Sequence, residues 1–253
     1  MAVCDAPGGL RIGCCGFPLS LRRYAEEFSL VEVQQTFYQP PALSTLEKWR
    51  SAVPGGFEFT LKAWQLITHE ASSPTYRRLH EKLSQEQRCE VGAFRLNATV
   101  LKAWRRTLAC ALMLGSRSIL FQCPVRFGPT QTNIANLREF FREIKPELLS
   151  LSGSGSLTCV WEPRGDWGAD EVRELCEELG LVHGVDPFHQ SPVAGPFGYF
   201  RLHGRTGYRY RYSDQDLEEL RERAGKHSLC YVLFNNISML EDARRFRRLV
   251  GSE

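Results

Sequence analysis

The sequence predicts a closed barrel of eight parallel strands alternating with helices. Three observations predict it. Eight short apolar runs recur along the chain: Leu10–Gly16, Leu30–Gln35, Phe57–Lys62, Ser118–Gln122, Leu157–Glu162, Val182–Asp186, Gly198–His203 and Cys230–Asn236. Seven of them close on a polar or ionisable residue and the first on Gly-Cys-Cys-Gly, as strands do when their carboxyl ends share one reactive face. The length, 253 residues, matches the ~250 of one such barrel. The expectation is a single (β/α)8 barrel of the TIM type over residues 1–253, with an enlarged segment between strands 3 and 4.

The elements follow in order. Strand one is expected at Leu10–Cys15, and a short helix near Ser20–Phe28 returns the chain to strand two, Leu30–Gln34. Ser44-Thr45-Leu46-Glu47 has capping-box spacing and should open a helix reaching Trp49. Pro54-Gly55-Gly56 stops it and launches strand three, Phe57–Lys62. The enlarged segment runs from Trp64 to Arg117. Within it, Ser73-Pro74 reads as a helix start, Val91–Leu96 as a short extra strand or loop, and Thr99–Leu114 as a helix ended by Gly115. Strand four is Ser118–Gln122. The helical spacing of Leu137, Phe140, Phe141 and Ile144 places a helix over Ile134–Ile144. Ser150–Ser156 reads as a loop into strand five, Leu157–Glu162. A helix over Ala169–Leu179, capped by Gly180, leads to strand six, Val182–Asp186. Strand seven, Gly198–His203, follows with no room for a full helix. A helix from Ser213 through Arg223 precedes strand eight, Cys230–Asn235, and Ser238-Met239-Leu240-Glu241 is a capping box for the last helix.

Composition narrows the function classes. Hydrophobic content of 43% and charged content of 24% suit a full globular core. A net charge of +3 does not by itself announce a nucleic-acid binder. No apolar stretch reaches the ~18 residues that span a bilayer, and Met1–Gly9 lacks the features of a secretory signal. No membrane partner and a cytoplasmic location are therefore expected. The 9 cysteines contain no C-x-x-C spacing and mostly sit in apolar runs, as buried small hydrophobes do.

Side chains alternate across a strand, so parity selects those that share the barrel interior. Lys62 shares a face with Thr60 and Glu58; Glu162 with Val160 and Thr158; Glu32 and Gln34 with Leu30; and Tyr199 with Arg201 and His203. The same logic adds Gln122, Asp186 and one of Asn235 or Asn236. Carboxylates and cations converging in an enclosed mouth shift one another's proton affinities, as catalytic groups do. A buried ion-pair network that only sets register would look the same in sequence.

Several motifs carry this resemblance further. Val31-Glu32-Val33-Gln34-Gln35-Thr36-Phe37-Tyr38-Gln39-Pro40, Phe57-Glu58-Phe59-Thr60-Leu61-Lys62-Ala63 and Ile67-Thr68-His69 come first. Leu120-Phe121-Gln122-Cys123-Pro124, Tyr199-Phe200-Arg201-Leu202-His203-Gly204-Arg205, Tyr212-Ser213-Asp214 and Phe234-Asn235-Asn236 follow. Together they resemble the YecE-like family, domain of unknown function 72, along nearly the whole chain. The resemblance implies a TIM-type barrel and no settled reaction. The chain departs from the commoner family pattern at Gly13-Cys14-Cys15-Gly16-Phe17, usually Gly-Thr-Ser-Gly-Trp, and at Glu162-Pro163-Arg164-Gly165, usually Glu-Phe-Arg-His.

The leading functional expectation is an enzyme using carboxylate acid/base chemistry on a small anionic substrate, phosphorylated or sugar-like. Glu32 and Glu162 are the proton-transfer candidates, with proton affinity raised by enclosure. Lys62 is expected as an electrostatic clamp, because nearby carboxylates should raise its proton affinity and oppose Schiff-base chemistry. Asp186 and His203 complete the catalytic set. Gln34, His69, Gln122, Arg164, Arg201, Arg205, Tyr212, Asn235 and Asn236 are the substrate-binding candidates, with Arg201 and Arg205 suited to a phosphate or carboxylate. No cofactor is expected. The first alternative is a metal-dependent phosphodiesterase or nuclease of endonuclease IV-like character. It would take Mg, Mn or Zn on carboxylates and His203, with Tyr208-Arg209-Tyr210-Arg211-Tyr212 stacking on nucleic acid. The second is a non-catalytic module that binds a metabolite.

Overall fold

The structure, a computed structural model, describes residues 9–151 and 157–251. The expected Ser150–Ser156 loop therefore lies, from position 152 on, outside the described residues. Eight strands close into a parallel barrel in chain order: β1 (Leu10–Cys15), β2 (Leu30–Val33), β3 (Glu58–Lys62), β4 (Ser118–Gln122), β5 (Thr158–Glu162), β6 (Val182–Val185), β7 (Gly198–Leu202) and β8 (Cys230–Phe234). β8 pairs back onto β1, with Leu10 opposite Cys230 and Cys14 opposite Phe234. Closure leaves no exposed strand edge.

Period-two alternation divides the apolar residues into two cores. The inner one is small: Cys15, Leu30, Leu120, Val160, Val182, Tyr199, Tyr231 and Leu233 plug the barrel. The outer one joins strands to helices, and its densest part is aromatic. Phe94 lies 5.3–6.1 Å from Phe121, Phe127, Phe140 and Phe141, centroid to centroid. Such a cluster contributes through both burial and edge-to-face geometry.

The helices are α1 (Leu21–Ala25), α2 (Gln35–Tyr38), α3 (Leu43–Ser51), α4 (Gln65–Thr68), α5 (Gln85–Glu90), α6 (Ala98–Leu114), α7 (Gln131–Ser150), α8 (Ala169–Leu179), α9 (Asp214–Ala224) and α10 (Met239–Val250). Asn97 caps α6 by accepting the Val100 N–H at 2.9 Å, and Gly115 ends it in the left-handed conformation at φ 63°. Ser213 caps α9 as expected. Two expected capping boxes do not form. α3 starts at Leu43, before Ser44 can cap it, because the rigid Pro40-Pro41 segment delivers Ala42 as its first carbonyl acceptor. Ser238 sits at φ −95°, ψ 18°, away from the extended conformation that a capping side chain needs. Asp242 and Asn236 secure that helix start instead, 2.7 Å apart.

Val91–Leu96 forms no strand. Gly92, Ala93 and Phe94 are successive left-handed residues, at φ 88°, 50° and 54°. Their N–H groups donate to the carbonyls of Leu66, Thr68 and Ile67, which closes the turn onto α4 beside the mouth. Gly92 is required there: a Cβ would lie 2.4 Å from the Glu70 nitrogen. Among the described residues, no helix is long and apolar enough to cross a membrane.

Candidate active site at the barrel mouth

Arg201 is the centre of the mouth. Inward parity on β7 buries it completely. Its Nε donates to both Glu32 oxygens at 3.1 Å and its Nη2 to Oε1 at 2.8 Å. Its Nη1 donates to Glu162 Oε2 at 2.6 Å. One planar guanidinium thus joins carboxylates from β2 and β5, which a lysine could not do. One layer deeper, the Tyr199 hydroxyl donates to Glu32 Oε2 at 2.8 Å, and Gln34 donates to Oε1. Burial alone would raise the proton affinity of Glu162. The charge of Arg201, a bond from His203 and the charge of Arg164 outweigh it and hold this carboxyl well below its usual range. The expected raised carboxyl is not found at Glu162, because two guanidiniums compensate the loss of water.

Lys62 is the reverse case. Its Nζ donates to Gln122 Oε1 and lies 3.6 Å from the centre of the Phe37 ring. Gln122 in turn donates to Glu162 Oε1 at 2.9 Å. No ion pair found among the described residues includes Lys62. Burial first, and then the charge of Arg201, push its pKa down to about 7, against the pull of Glu162 and Glu32. The expectation that carboxylates would raise it is corrected: they do pull it up, but the loss of water on burial and the charge of Arg201 outweigh them. His69 closes over this side. Its Nδ1 bonds the Thr68 hydroxyl at 2.8 Å, and its ring meets Phe37 edge-on at 4.9 Å. Burial and the charge of Lys62 push its pKa down to about 3, so it is neutral.

The open side lies over β5 to β7. A cleft of about 830 Å³ is floored by Glu162, Arg164, Asp186 and His203 and walled by the loop Gly204–Tyr208. Arg164 is 36% exposed and bonds Glu162 Oε1 at 2.8 Å through Nε. Its Nη2 lies 2.6 Å from His203 Nε2, where Arg201 Nη1 also approaches to 3.4 Å. The same nitrogen stands 3.4 Å from Glu162 Oε1, and Asn235 Nδ2 lies 3.0 Å from the other ring nitrogen, Nδ1. Burial, against the bond to Glu162, lowers the pKa of His203 and keeps it neutral. Asp186 is occupied with backbone: it accepts the Phe188 N–H at 3.0 Å and the His203 N–H at 2.8 Å. It fixes the loop on which His203 stands.

Three expected binding residues are engaged otherwise. Arg205 lines the cleft wall but pairs with Glu219 and, at 3.2 Å, with Asp216. Tyr212 is buried behind it, accepting the Gly204 N–H at 2.7 Å and stacking on Phe188. Asn236 is buried, with its amide on Tyr210 O and Asp242. The Tyr/Arg run is therefore no continuous stacking surface. Gly204 and Gly207, at φ 88° and 114°, curl the loop; Tyr208 is exposed, while Tyr210 meets the buried Tyr212 edge-on at 5.3 Å. Two contributors carried no assigned role in sequence. Tyr199 had a signal, its shared parity with Arg201. Phe37 had none, since α2 brings it over Lys62 only in the folded barrel. Among the described residues, no group of three or more His, Cys, Asp or Glu could hold a metal ion.

Comparison with known proteins agrees with this architecture. The family model described as "Protein of unknown function DUF72" matches residues 16–253. The UPF0759 protein YunF of Bacillus subtilis is 23% identical over 254 residues, covering 86% of this chain and 80% of that protein. A DUF72 family protein of Enterococcus faecalis superposes with a TM-score of 0.69 at 22% identity, covering 96% of this chain and 97% of that one. More distant barrels share the fold alone. D-psicose 3-epimerase has a TM-score of 0.57 at 13% identity, covering 97% of this chain and 100% of that one. Endonuclease IV of Thermus thermophilus has 0.53 at 12%, covering 97% and 99%.

Proposed function

The chain belongs to the DUF72 family of proteins of unknown function, and from the geometry of its barrel mouth we propose an enzyme that acts on a small anionic substrate, phosphorylated or sugar-like. One observation carries this reading. An exposed guanidinium, Arg164, stands at the floor of a cleft, and a chain of hydrogen bonds through Glu162 and Gln122 links it to a buried amine, Lys62. Arg164 would hold the anion, since it stands exposed at the cleft floor, whereas Arg205 on the wall is paired with two carboxylates, Asp216 and Glu219. Glu32 and Glu162 would not carry the proton. They keep Arg201 fixed and give the floor its charge pattern. The groups left for the chemistry are Lys62, which changes charge near neutrality, and neutral His203. The sugar-like part of the reading draws on the barrel shared with D-psicose 3-epimerase, a likeness of fold alone.

A divalent metal does not fit this mouth. Its ligands would have to be Glu32, Glu162, Asp186 and His203, whose acceptor atoms are committed to Arg201, Arg164 and backbone N–H groups. The metal-dependent nuclease is therefore not carried forward as a second reading.

The test is a thermal-shift titration with ribose 5-phosphate, glucose 6-phosphate, inorganic phosphate and the free sugars. A ligand that binds only the folded chain raises its melting temperature with concentration. A phosphorylated sugar should do so, and Arg164→Gln should remove the shift. If none of the anions shifts the melt, or the variant responds as the wild type does, the reading falls.

A further inference from the structure

Buried lysines are almost always paired with a carboxylate. The chain has six lysines: Lys48, Lys62, Lys82, Lys102, Lys145 and Lys226. All six are among the described residues, five are exposed, and Lys62 is buried. It stands at the carboxyl end of β3, where barrel enzymes keep reactive groups. Its amine meets a neutral amide oxygen and an aromatic face, and no carboxylate. Two carboxylates do lie in the same mouth, but Arg201 takes both. A lysine serving only to set register would have been given one of them. Lys62 also keeps 6% of its surface open to solvent, next to Gln122 at 9%.

We propose that Lys62 is a nucleophile that forms an imine with a small anionic aldehyde or ketone. This rests on the active site proposed above and narrows its substrate class to carbonyl compounds. The lone pair of the neutral amine attacks the carbonyl carbon, and the carbonyl oxygen takes up a proton, giving a carbinolamine. Loss of water then replaces the C=O bond with C=N. Overall, amine, carbonyl compound and one proton give a protonated imine and one water. Gln122 orients the amine through its oxygen, while its own N–H anchors on Glu162. The neighbouring negative charge of Glu162 favours the positively charged imine over the neutral carbonyl. Arg164, on the other side of Glu162, takes the anionic end of the substrate.

The experiment incubates the intact protein at pH 7.5 with pyruvate, glycolaldehyde or dihydroxyacetone phosphate in the presence of cyanoborohydride. Hydride adds to the imine carbon and leaves a stable secondary amine, read by intact mass and located by peptide mapping. A single adduct on Lys62 is expected, forming more than ~10-fold faster than on any exposed lysine, because more of this amine is unprotonated. Lys62→Met and Lys62→Arg should both lose it, with unchanged circular dichroism. Labelling of exposed lysines with Lys62 untouched by all three probes would overturn the proposal. If a phosphorylated sugar still shifted the melt through Arg164, that outcome would remove the imine and leave the anion site standing.

Discussion

Replacing Lys62 by Met separates a strained amine from an ordinary one. The substitution keeps a long unbranched side chain in the same space and deletes the charge. In the unfolded chain the amine titrates near 10.5, and in the folded barrel near 7. The folded value is the lower one, so between these two pH values the unfolded chain holds the extra proton. Stability must then rise with pH across that window. The slope is roughly 1.4 kcal/mol per pH unit, or about 4 kcal/mol between pH 7 and pH 10. The groups facing Lys62 (Glu162, Glu32, Arg201, Arg164 and His69) stay in both proteins, so their own titrations largely cancel in the comparison. Loss of the Gln122 bond adds an offset of about 1–3 kcal/mol that varies little with pH. Urea unfolding of both proteins at half-unit steps from pH 6.5 to 10 measures the difference. Wild type should gain on the variant steadily above pH 7. Two parallel stability profiles would mean that Lys62 keeps an ordinary proton affinity, and the argument about burial would be wrong.

Other predictions address the rest of the mouth and its support. Arg201→Met strands two buried carboxylates and should cost roughly 3–5 kcal/mol in chemical unfolding at pH 7; a loss under 1 kcal/mol would contradict the pairing. Glu162 has a lowered proton affinity, so its contribution is present above its unfolded value near 4.5 and is lost as pH falls. Wild type should therefore lose ground to Glu162→Gln when acid unfolding is followed from pH 5 downward. Phe94→Ala empties the centre of the outer aromatic cluster and should cost about 3–5 kcal/mol, read from the urea midpoint.

The barrel was legible because its signals are local and repetitive. Apolar runs of strand length, separated by helical spacing, leave few alternatives to parallel closure once eight of them fill 253 residues. Parity carried into the mouth as well. Glu32, Lys62, Gln122, Glu162, Arg201 and His203 do face one another, and on β8 the inward set Tyr231 and Leu233 continues to Asn235 while Asn236 turns outward. Parity ends with the strands, and there the reading lost its hold. Arg205 and Tyr212 belong to a loop curled by two left-handed glycines, so no periodic rule places them.

Which groups keep their protons was decided by the tertiary structure alone. Strand alternation says that acids and bases share a cavity, but not which acid reaches which base. Arg201 claims both Glu32 and Glu162 because β7 sets its guanidinium between β2 and β5. Lys62, whose neighbouring carboxylates are both bonded to Arg201, has its pKa pushed down to about 7 by burial. Proton affinity depends on lost water and on distances of a few ångströms between residues far apart in the chain, and neither is written in the order of its side chains.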